Sequence, residues 1–409
     1  MPSRRTEQSV FFIVDPWLLP ENIADALPEE ARTVERLRRA LLDCYRSYGY
    51  ELVMPPLLEH IESLLTGSGG DLDLATIKTV DQLSGRTVGL RADTTPQVAR
   101  IDSHILNRDG VVRLCYAGPT LRARPAHPMA SREPVQVGAE IYGEARLDAD
   151  IEALELAVAS ARTLGFSDVQ IDVGHTGVVR ALLDGVLDAV RPGEEGVEDV
   201  LCALAAKDGI ALGAACRHLG SRLAPDALRG LHALLECSGG RDTVARARRV
   251  LPDSAPLRAA LDDLDRLADA CPTDRVGIDL ADLHGFRYHT GATFAAYVPG
   301  LNGAVLRGGR YDDIGRAFGR ARPATGFSIL DLREAAQSLV GGKVAPDRAI
   351  RAPWRGTDAR LEEMVQALRT RGEIVVRGAG AQAGAALVVD RELVCKNGIW
   401  EIAEIDLGT

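Results

Sequence analysis

At 409 residues the chain is too long for one ordinary hydrophobic core, so two or more domains are expected. Its 46% hydrophobic and 26% charged residues are ordinary for a globular protein, and no apolar run approaches the ~18 residues that a membrane span requires. A formal net charge of -10 disfavours a phosphate-backbone binder, so tRNA is not an expected partner.

The seven cysteines (Cys44, Cys115, Cys202, Cys216, Cys237, Cys271 and Cys395) are scattered, odd in number and without a CxxC. That usage predicts free thiols in a reducing cytoplasm and speaks against a zinc site; no metal or cofactor is expected. The first twenty residues hold two arginines and a short apolar patch broken by Asp15 and Pro16, with no small-residue cleavage site. They do not read as a signal peptide.

In chain order, Pro28-Glu29-Glu30 opens a helix, Val34, Leu37, Leu41, Cys44, Tyr45 and Tyr48 recur at helical spacing, and Gly49 stops it. Glu51 to Met54 is a short strand ended by Pro55-Pro56, which places it at a sheet edge or an interface. Thr66 to Gly70 reads as a loop, and Lys78–Asp81 with Thr87–Arg91 as a hairpin turning at Ser84-Gly85. Asp93 or Thr94 suits an N-cap before Pro96. Val111 to Tyr116 is a strand, followed by a basic, Pro-rich loop and a return strand from Pro134 to Tyr142. Strand alternation puts Gln136 and Glu140 on one face and Val135, Val137 and Ile141 on the other. Such a hairpin offers arginines to a carboxylate and Glu140 to an ammonium, which suits a small zwitterion. Taken alone, a solvated hairpin with a charged edge is the simpler reading.

Asp150 to Leu164 is an amphipathic helix, Val169 to Val173 a strand, and Thr176 a cap for the next helix. Residues 184–271 read as a helical insertion, after which Val276–Leu280, Thr290–Val298 and Ala304–Leu306 resume the strand pattern. Residues 1–183 and 272–338 form the main body. Gly, Pro and basic residues mark a linker over 339–354, and 355–409 reads as a small α/β module.

Four polar or glycine-rich clusters stand out: Asp93/Thr95; Arg122/Gln136/Glu140; His284-Gly285-Phe286-Arg287-Tyr288-His289; and Leu306-Arg307-Gly308-Gly309-Arg310-Tyr311-Asp312. Their order and wording resemble the class II aminoacyl-tRNA synthetase core, most closely histidyl-tRNA synthetase, from about Asp15 to Arg333 with a dissimilar insertion. Pro55 or Pro56 stands at the proline of that class's dimer-interface motif. Leu90-Arg91-Ala92-Asp93-Thr94-Thr95 is similar to the family's Leu-Arg-Pro-Glu-Gly-Thr. Gly285 and Tyr288 match its Arg-Gly-Leu-Asp-Tyr-Tyr, and Gly308-Gly309-Arg310-Tyr311-Asp312 its Gly-Gly-Arg-Tyr-Asp. The resemblance implies an α+β fold: a mixed, mainly antiparallel sheet flanked by helices, carrying the helical insertion and the small C-terminal module.

Where the family's second motif reads Arg-x-Glu-Arg-Pro, this chain has Leu121 and Ala123 at the first arginine and the glutamate, with Arg122 one position away. A further phosphate-side arginine aligns with about Ala130, and the arginine linked to adenylate formation aligns with His284. The third motif keeps only Arg333 of Gly-Leu-Glu-Arg, reading Leu330-Asp331-Leu332-Arg333. Loss of one such charge stabiliser typically costs ~10²–10³ in rate, so loss of several is expected to abolish adenylation.

That pattern resembles the regulatory subunits of ATP phosphoribosyltransferase, synthetase-like proteins that join a short-form catalytic subunit at the first step of histidine biosynthesis and sense histidine. The resemblance implies no catalytic residue of its own, an allosteric role, a hetero-oligomer with that catalytic subunit, and self-association as a dimer. Histidine is then expected on Asp93, Thr95 and Glu140 through its ammonium, and on Arg122 through its carboxylate. Gln136, Tyr288 and His289 are expected around its imidazole, with Arg287 replacing a family aspartate. A divergent adenylate-forming enzyme is the alternative.

Overall fold

The computed structural model describes residues 17–65, 70–186, 196–339, 347–354, 358–378 and 387–405. The expected loop at 66–69, the insertion at 187–195, the linker at 340–346 and the strand start at Ala385 lie outside these residues, as does Asp15. The chain divides into two compact units, Met1–Asp25 with Leu37–Ala335, and Ala26–Arg36 with Ala336–Thr409.

Helix α1 (Pro28–Ser47) carries Glu29 and Glu30 at its positive end, and Gly49 follows at φ +85°. Then come β1 (Glu51–Leu52), β2 (Leu58–His60), α2 (Ile61–Leu65), α3 (Gly70–Ala75), β3 (Ile77–Val80) and β4 (Thr87–Leu90). Helix α4 (Thr95–Arg100) continues as a π-helical stretch over Ile101–Leu106. The next elements are β5 (Val112–Pro119), β6 (Val135–Tyr142), α5 (Asp148–Thr163), β7 (Gln170–His175) and α6 (Thr176–Leu182). The insertion contributes α7 (Val197–Ala205), α8 (Gly209–Leu219), α9 (Pro225–Leu234), β8 (Ser238–Gly239), α10 (Asp242–Val250) and α11 (Ala255–Ala270). Strands β9 (Val276–Asp279), β10 (Ala292–Tyr297), β11 (Leu306–Arg310) and β12 (Ala324–Ile329) complete the main sheet, and α12 (Leu332–Leu339) follows.

The larger unit is built on a nine-stranded sheet in the order β1-β5-β6-β12-β11-β10-β7-β9-β8, mainly antiparallel, with parallel pairs at β1–β5 and β7–β9. A separate three-stranded sheet has the order β2-β4-β3. One face of the large sheet is apolar: Val137, Ala139, Ile141, Phe294 and Phe327 are buried there, and α5 lies against β11 and β12 with Leu154, Ala157 and Val158 fully enclosed. The opposite face is polar and holds the cavity described below.

Three expectations change. The β5–β6 hairpin is interior rather than a solvated edge, because β1 and β12 pair on its two sides. The insertion is not wholly helical, since it adds strand β8 to the sheet edge. The cap of α6 is His175, whose Nδ1 accepts the Gly177 N–H at 3.0 Å; Thr176 is the first helical residue and donates instead to the Gly291 carbonyl at 3.1 Å. Within the insertion Asp208 caps α8, its Oδ1 accepting the Ile210 and Ala211 N–H groups, each at 2.9 Å. Asp208→Ala is therefore expected to cost about 1 kcal/mol in denaturant unfolding; an unchanged midpoint would show the cap to be idle.

In the smaller unit β13 (Asp347–Ala352) occupies much of the expected linker. With α13 (Ala359–Thr370), β14 (Ile374–Arg377), β15 (Leu387–Lys396) and β16 (Ile399–Glu404) it forms a sheet of order β14-β13-β15-β16. Ile350, Leu361, Val365, Leu368, Val375 and Leu393 make its core. Strand β16 is an addition to the sequence reading. Asn397 and Gly398, at φ 52° and 77°, form the tight turn that joins it to β15, a conformation Asn-Gly adopts readily. Among the described residues no helix is long and apolar enough to cross a membrane.

Candidate functional site

Register sets what shares the polar face of the large sheet. One cross-strand row runs Glu140–Gly326–Gly309–Thr293, from β6 across β12 and β11 to β10. The adjacent row runs Tyr116–Gly138–Ser328–Arg307–Ala295–Asp172, from β5 to β7. Gln136, two residues beyond Gly138, starts the next row. Above this floor lies a cavity of about 750 Å³. All eight residues expected to hold histidine line it: Asp93, Thr95, Arg122, Gln136, Glu140, Arg287, Tyr288 and His289.

Glu140 is the deepest, 1% exposed. Its Oε1 lies 3.2 Å from both the Thr95 and Tyr116 hydroxyls, and the Tyr311 hydroxyl donates to Oε2. Among the described residues no cation pairs with it. Burial without a countercharge pushes its pKa up to about 8, although the Tyr311 hydrogen bond opposes this. At pH 7 the carboxyl is thus mostly protonated. Room for it depends on Gly326: a Cβ there would stand 1.8 Å from Glu140 Oε2 and 2.4 Å from the Ala139 carbonyl oxygen.

A second carboxylate, Asp93, sits at the shoulder of the cavity, half-buried. Its Oδ1 accepts the Thr95 N–H at 3.0 Å and the Gln136 Nε2–H at 2.9 Å. Gln136 is locked by two further bonds: its Oε1 accepts the Thr94 N–H at 2.9 Å, and Nε2 donates to Ser328 Oγ at 3.1 Å. Among the described residues Asp93 pairs with no cation either. Two carboxyl groups facing one cavity without countercharges suit a ligand that brings its own N–H donors.

Tyr288 and Tyr311 stack with ring centroids 5.0 Å apart, and His289 meets Tyr288 edge-on at 5.3 Å. Among the described residues the buried Tyr288 hydroxyl has no hydrogen-bond partner, an expensive condition that a ligand atom would relieve. His289 Nδ1 lies 3.3 Å from the Arg310 carbonyl, which assigns the ring proton to Nδ1. Burial drives the His289 pKa down to about 4, so the ring is neutral.

The cations divide by position. Arg287 is exposed and paired with Glu198 of the insertion, so its side chain closes the rim rather than reaching inward. Arg122 turns its Nε toward the Ala92 carbonyl, 3.4 Å away. His284 is mostly exposed and bound to Asp282 at 3.0 Å. Of the positions where the nucleotide-handling charges would stand, Leu121, Ala123, Ala130 and Arg333 are absent from the cavity wall, and only His284 lines it. The Arg333 guanidinium donates to the Ala24 carbonyl at 3.0 Å.

Sequence reasoning did not single out Tyr116 and Ser328, and gave no site role to Arg307 and Tyr311 although both stand in its fourth cluster. Tyr311 lies within the quoted Gly-Gly-Arg-Tyr-Asp run, where its hydroxyl gave a signal. Tyr116 reads as an ordinary strand residue and Ser328 lies in a stretch given no element, and only the register brings them beside Gln136 and Glu140. Ser328 Oγ bonds Tyr116 at 2.5 Å and Gln136 at 3.1 Å, so it ties the two rows together.

The histidyl-tRNA synthetase family profile matches residues 22–334, and that of the ATP phosphoribosyltransferase subunit HisZ C-terminal domain matches residues 347–403. The chain is 54% identical over 94% of its length to the ATP phosphoribosyltransferase regulatory subunit of Ralstonia pickettii, 97% of which is covered. It is 50% identical to that of Bordetella avium, with 94% of this chain and 98% of the relative covered. Among solved structures, an ATP phosphoribosyltransferase regulatory subunit/histidyl-tRNA synthetase from Bacillus halodurans is similar at TM-score 0.75 and 27% identity, covering 90% of this chain and 94% of that one. The histidyl-tRNA synthetase of Nostoc shares the fold at TM-score 0.70 with 18% identity, covering 93% and 91%.

Proposed function

The chain belongs to the family of ATP phosphoribosyltransferase regulatory subunits, and from that premise we propose that it is the histidine sensor of the enzyme that opens histidine biosynthesis, required by a short-form catalytic subunit. The observation that carries the histidine assignment is the cavity with two carboxyl groups, Glu140 and Asp93, that form no ion pair among the described residues.

Depth distributes the roles. Glu140, protonated at neutral pH and flanked by tyrosine hydroxyls, suits a neutral imidazole, which presents one N–H and one acceptor nitrogen. A full ammonium there would be desolvated at high cost, so it goes to Asp93 and Thr95 at the shoulder. This revises the pairing of Glu140 with the ammonium that its residue type alone suggests. Gln136 holds Asp93 in place, and the Tyr288 hydroxyl reaches the ring. The missing charges at Leu121, Ala123 and Ala130, and the diversion of Arg333 to the Ala24 carbonyl, support a chain without aminoacylation activity of its own.

We also infer a symmetric dimer through the segment around Pro55-Pro56. Leu52, Met54, Leu57 and Leu58 are exposed there, at 50%, 84%, 40% and 46%. The segment's backbone is held firm, with Arg91 donating to the Pro55 carbonyl at 2.8 Å and Gln97 to that of Pro56 at 2.7 Å. An apolar, rigid patch on an edge strand favours association.

The deciding experiment is transfer of the phosphoribosyl group from phosphoribosyl pyrophosphate to ATP by the short catalytic subunit of the same organism, with and without this chain, under a histidine titration. The expected result is a higher rate with this chain and inhibition by histidine, with a coupling of roughly 1–3 kcal/mol. No effect on rate or on histidine sensitivity overturns the reading, and histidine-dependent ATP–pyrophosphate exchange then tests the adenylating alternative.

A further inference from the structure

The cavity contains a cation that none of the motif comparisons pointed to. Arg307 stands on the floor, in β11, between Ser328 on one side and Ala295 and Asp172 on the other. It is half-buried, and among the described residues its guanidinium makes no hydrogen bond and no ion pair. Asp282 lies within electrostatic reach but beyond ion-pair distance. Of the other arginines that line the cavity, Arg287 has Glu198 and Arg122 the Ala92 carbonyl, while Arg124 makes no hydrogen bond or ion pair among the described residues but is exposed, whereas Arg307 is half-buried on the floor.

Position along the strands gives Arg307 a direction. It occupies the row of Gly138, between the rows of Glu140 and Gln136, hence displaced from Glu140 toward the Asp93 end. Its Cα is two strands across and two residues along from Glu140, about 12 Å by sheet geometry. A bound amino acid whose ring reaches Glu140 and whose ammonium meets Asp93 therefore turns its remaining charged group toward Arg307. A guanidinium supplies a planar pair of N–H donors that matches a carboxylate, and a half-buried site strengthens that contact.

We propose that Arg307 anchors the α-carboxylate of the bound amino acid and so separates histidine from decarboxylated imidazole amines. The proposal rests on the histidine-sensor reading and assigns the group that Arg122 was expected to hold.

The test compares histidine with histamine, which keeps the ring and the ammonium but lacks the carboxylate, by calorimetric titration of the full chain and of Arg307→Gln and Arg122→Gln. The expected result is that wild type prefers histidine, and that Arg307→Gln loses ~10-fold or more in histidine affinity while its histamine affinity is unchanged. Unchanged histamine binding also shows that the variant is folded. If Arg307→Gln keeps the wild-type preference for histidine, Arg307 only balances Asp172 and Asp282, and the proposal falls while the sensor reading stands. If wild type binds neither ligand, the sensor reading falls and takes the proposal with it. Should Arg307→Gln lose both ligands, Arg307→Lys decides: wild-type histamine affinity with a reduced preference for histidine supports the fork, and an unchanged preference overturns it.

Discussion

Replacing Asp150 by alanine is expected to destabilise the synthetase-like core by about 3 kcal/mol, because it leaves a buried guanidinium with only the half-exposed Asp312, 3.3 Å away, as a countercharge. Asp150 and Arg310 are 1% and 10% exposed at their side chains, and Arg310 reaches Asp150 Oδ2 through Nε at 3.0 Å and Nη2 at 2.5 Å. The same guanidinium donates to the Glu144 and Arg146 carbonyls at 3.2 and 3.1 Å. It thus fastens the end of β11 to the start of α5. The next residue is Tyr311, whose hydroxyl holds Glu140, so the variant is expected to lose histidine binding as well. The measurement is the denaturant midpoint of the core transition, since a two-unit chain need not unfold in one step. A joint replacement, Asp150→Leu with Arg310→Met, is expected to recover much of the loss, because the pair's desolvation nearly cancels its attraction. A loss below about 1 kcal/mol in Asp150→Ala would mean that the pair is hydrated and of little consequence.

Glu140→Gln is expected to flatten a pH dependence that the wild type shows. The ordinary glutamate value is 4.5, and burial raises that of Glu140 to about 8 in the folded chain. Between these values the folded state binds the proton and the unfolded state releases it. The favourable contribution is therefore complete below pH 4.5 and is lost as pH rises to about 8. The slope contributed by this one group is at most ~1.4 kcal/mol per pH unit. Subtracting the Glu140→Gln profile from the wild-type profile isolates it from other titrating groups, including His289, whose depressed value acts in the opposite direction below neutral pH. Parallel profiles would place a countercharge or water at Glu140 and weaken its assignment to a neutral imidazole. In binding, Glu140→Ala is expected to cost about 2 kcal/mol or more in histidine affinity, because the ring N–H is left unpaired. Histidine affinity equal to wild type would remove Glu140 from the site.

Much of this protein is written locally. The acidic, proline-led start of α1, its stop at Gly49, the alternation of Gln136 and Glu140 against Val137 and Ile141, and the Asp208 cap depend on residues within a few positions of each other. So does the turn at Asn397-Gly398, a hairpin signal present in the sequence although it did not lead to β16. The motif wording around Asp93, Gln136, Glu140 and Tyr288 was enough to identify the family, and with it the polar cavity. What the chain order does not contain is register between strands distant in sequence. Only pairing of β6 with β12 and of β12 with β11 brings Ser328 beside Gln136, sets Arg307 next to Ser328 and puts Gly326 under Glu140. Only burial by the whole sheet decides that Glu140 keeps its proton at neutral pH, since desolvation depends on every layer above and below the group. The sequence by itself determined the elements, the family and most of the polar groups; tertiary structure decided which of those groups face one another and in what charge state, because both are set by long-range packing.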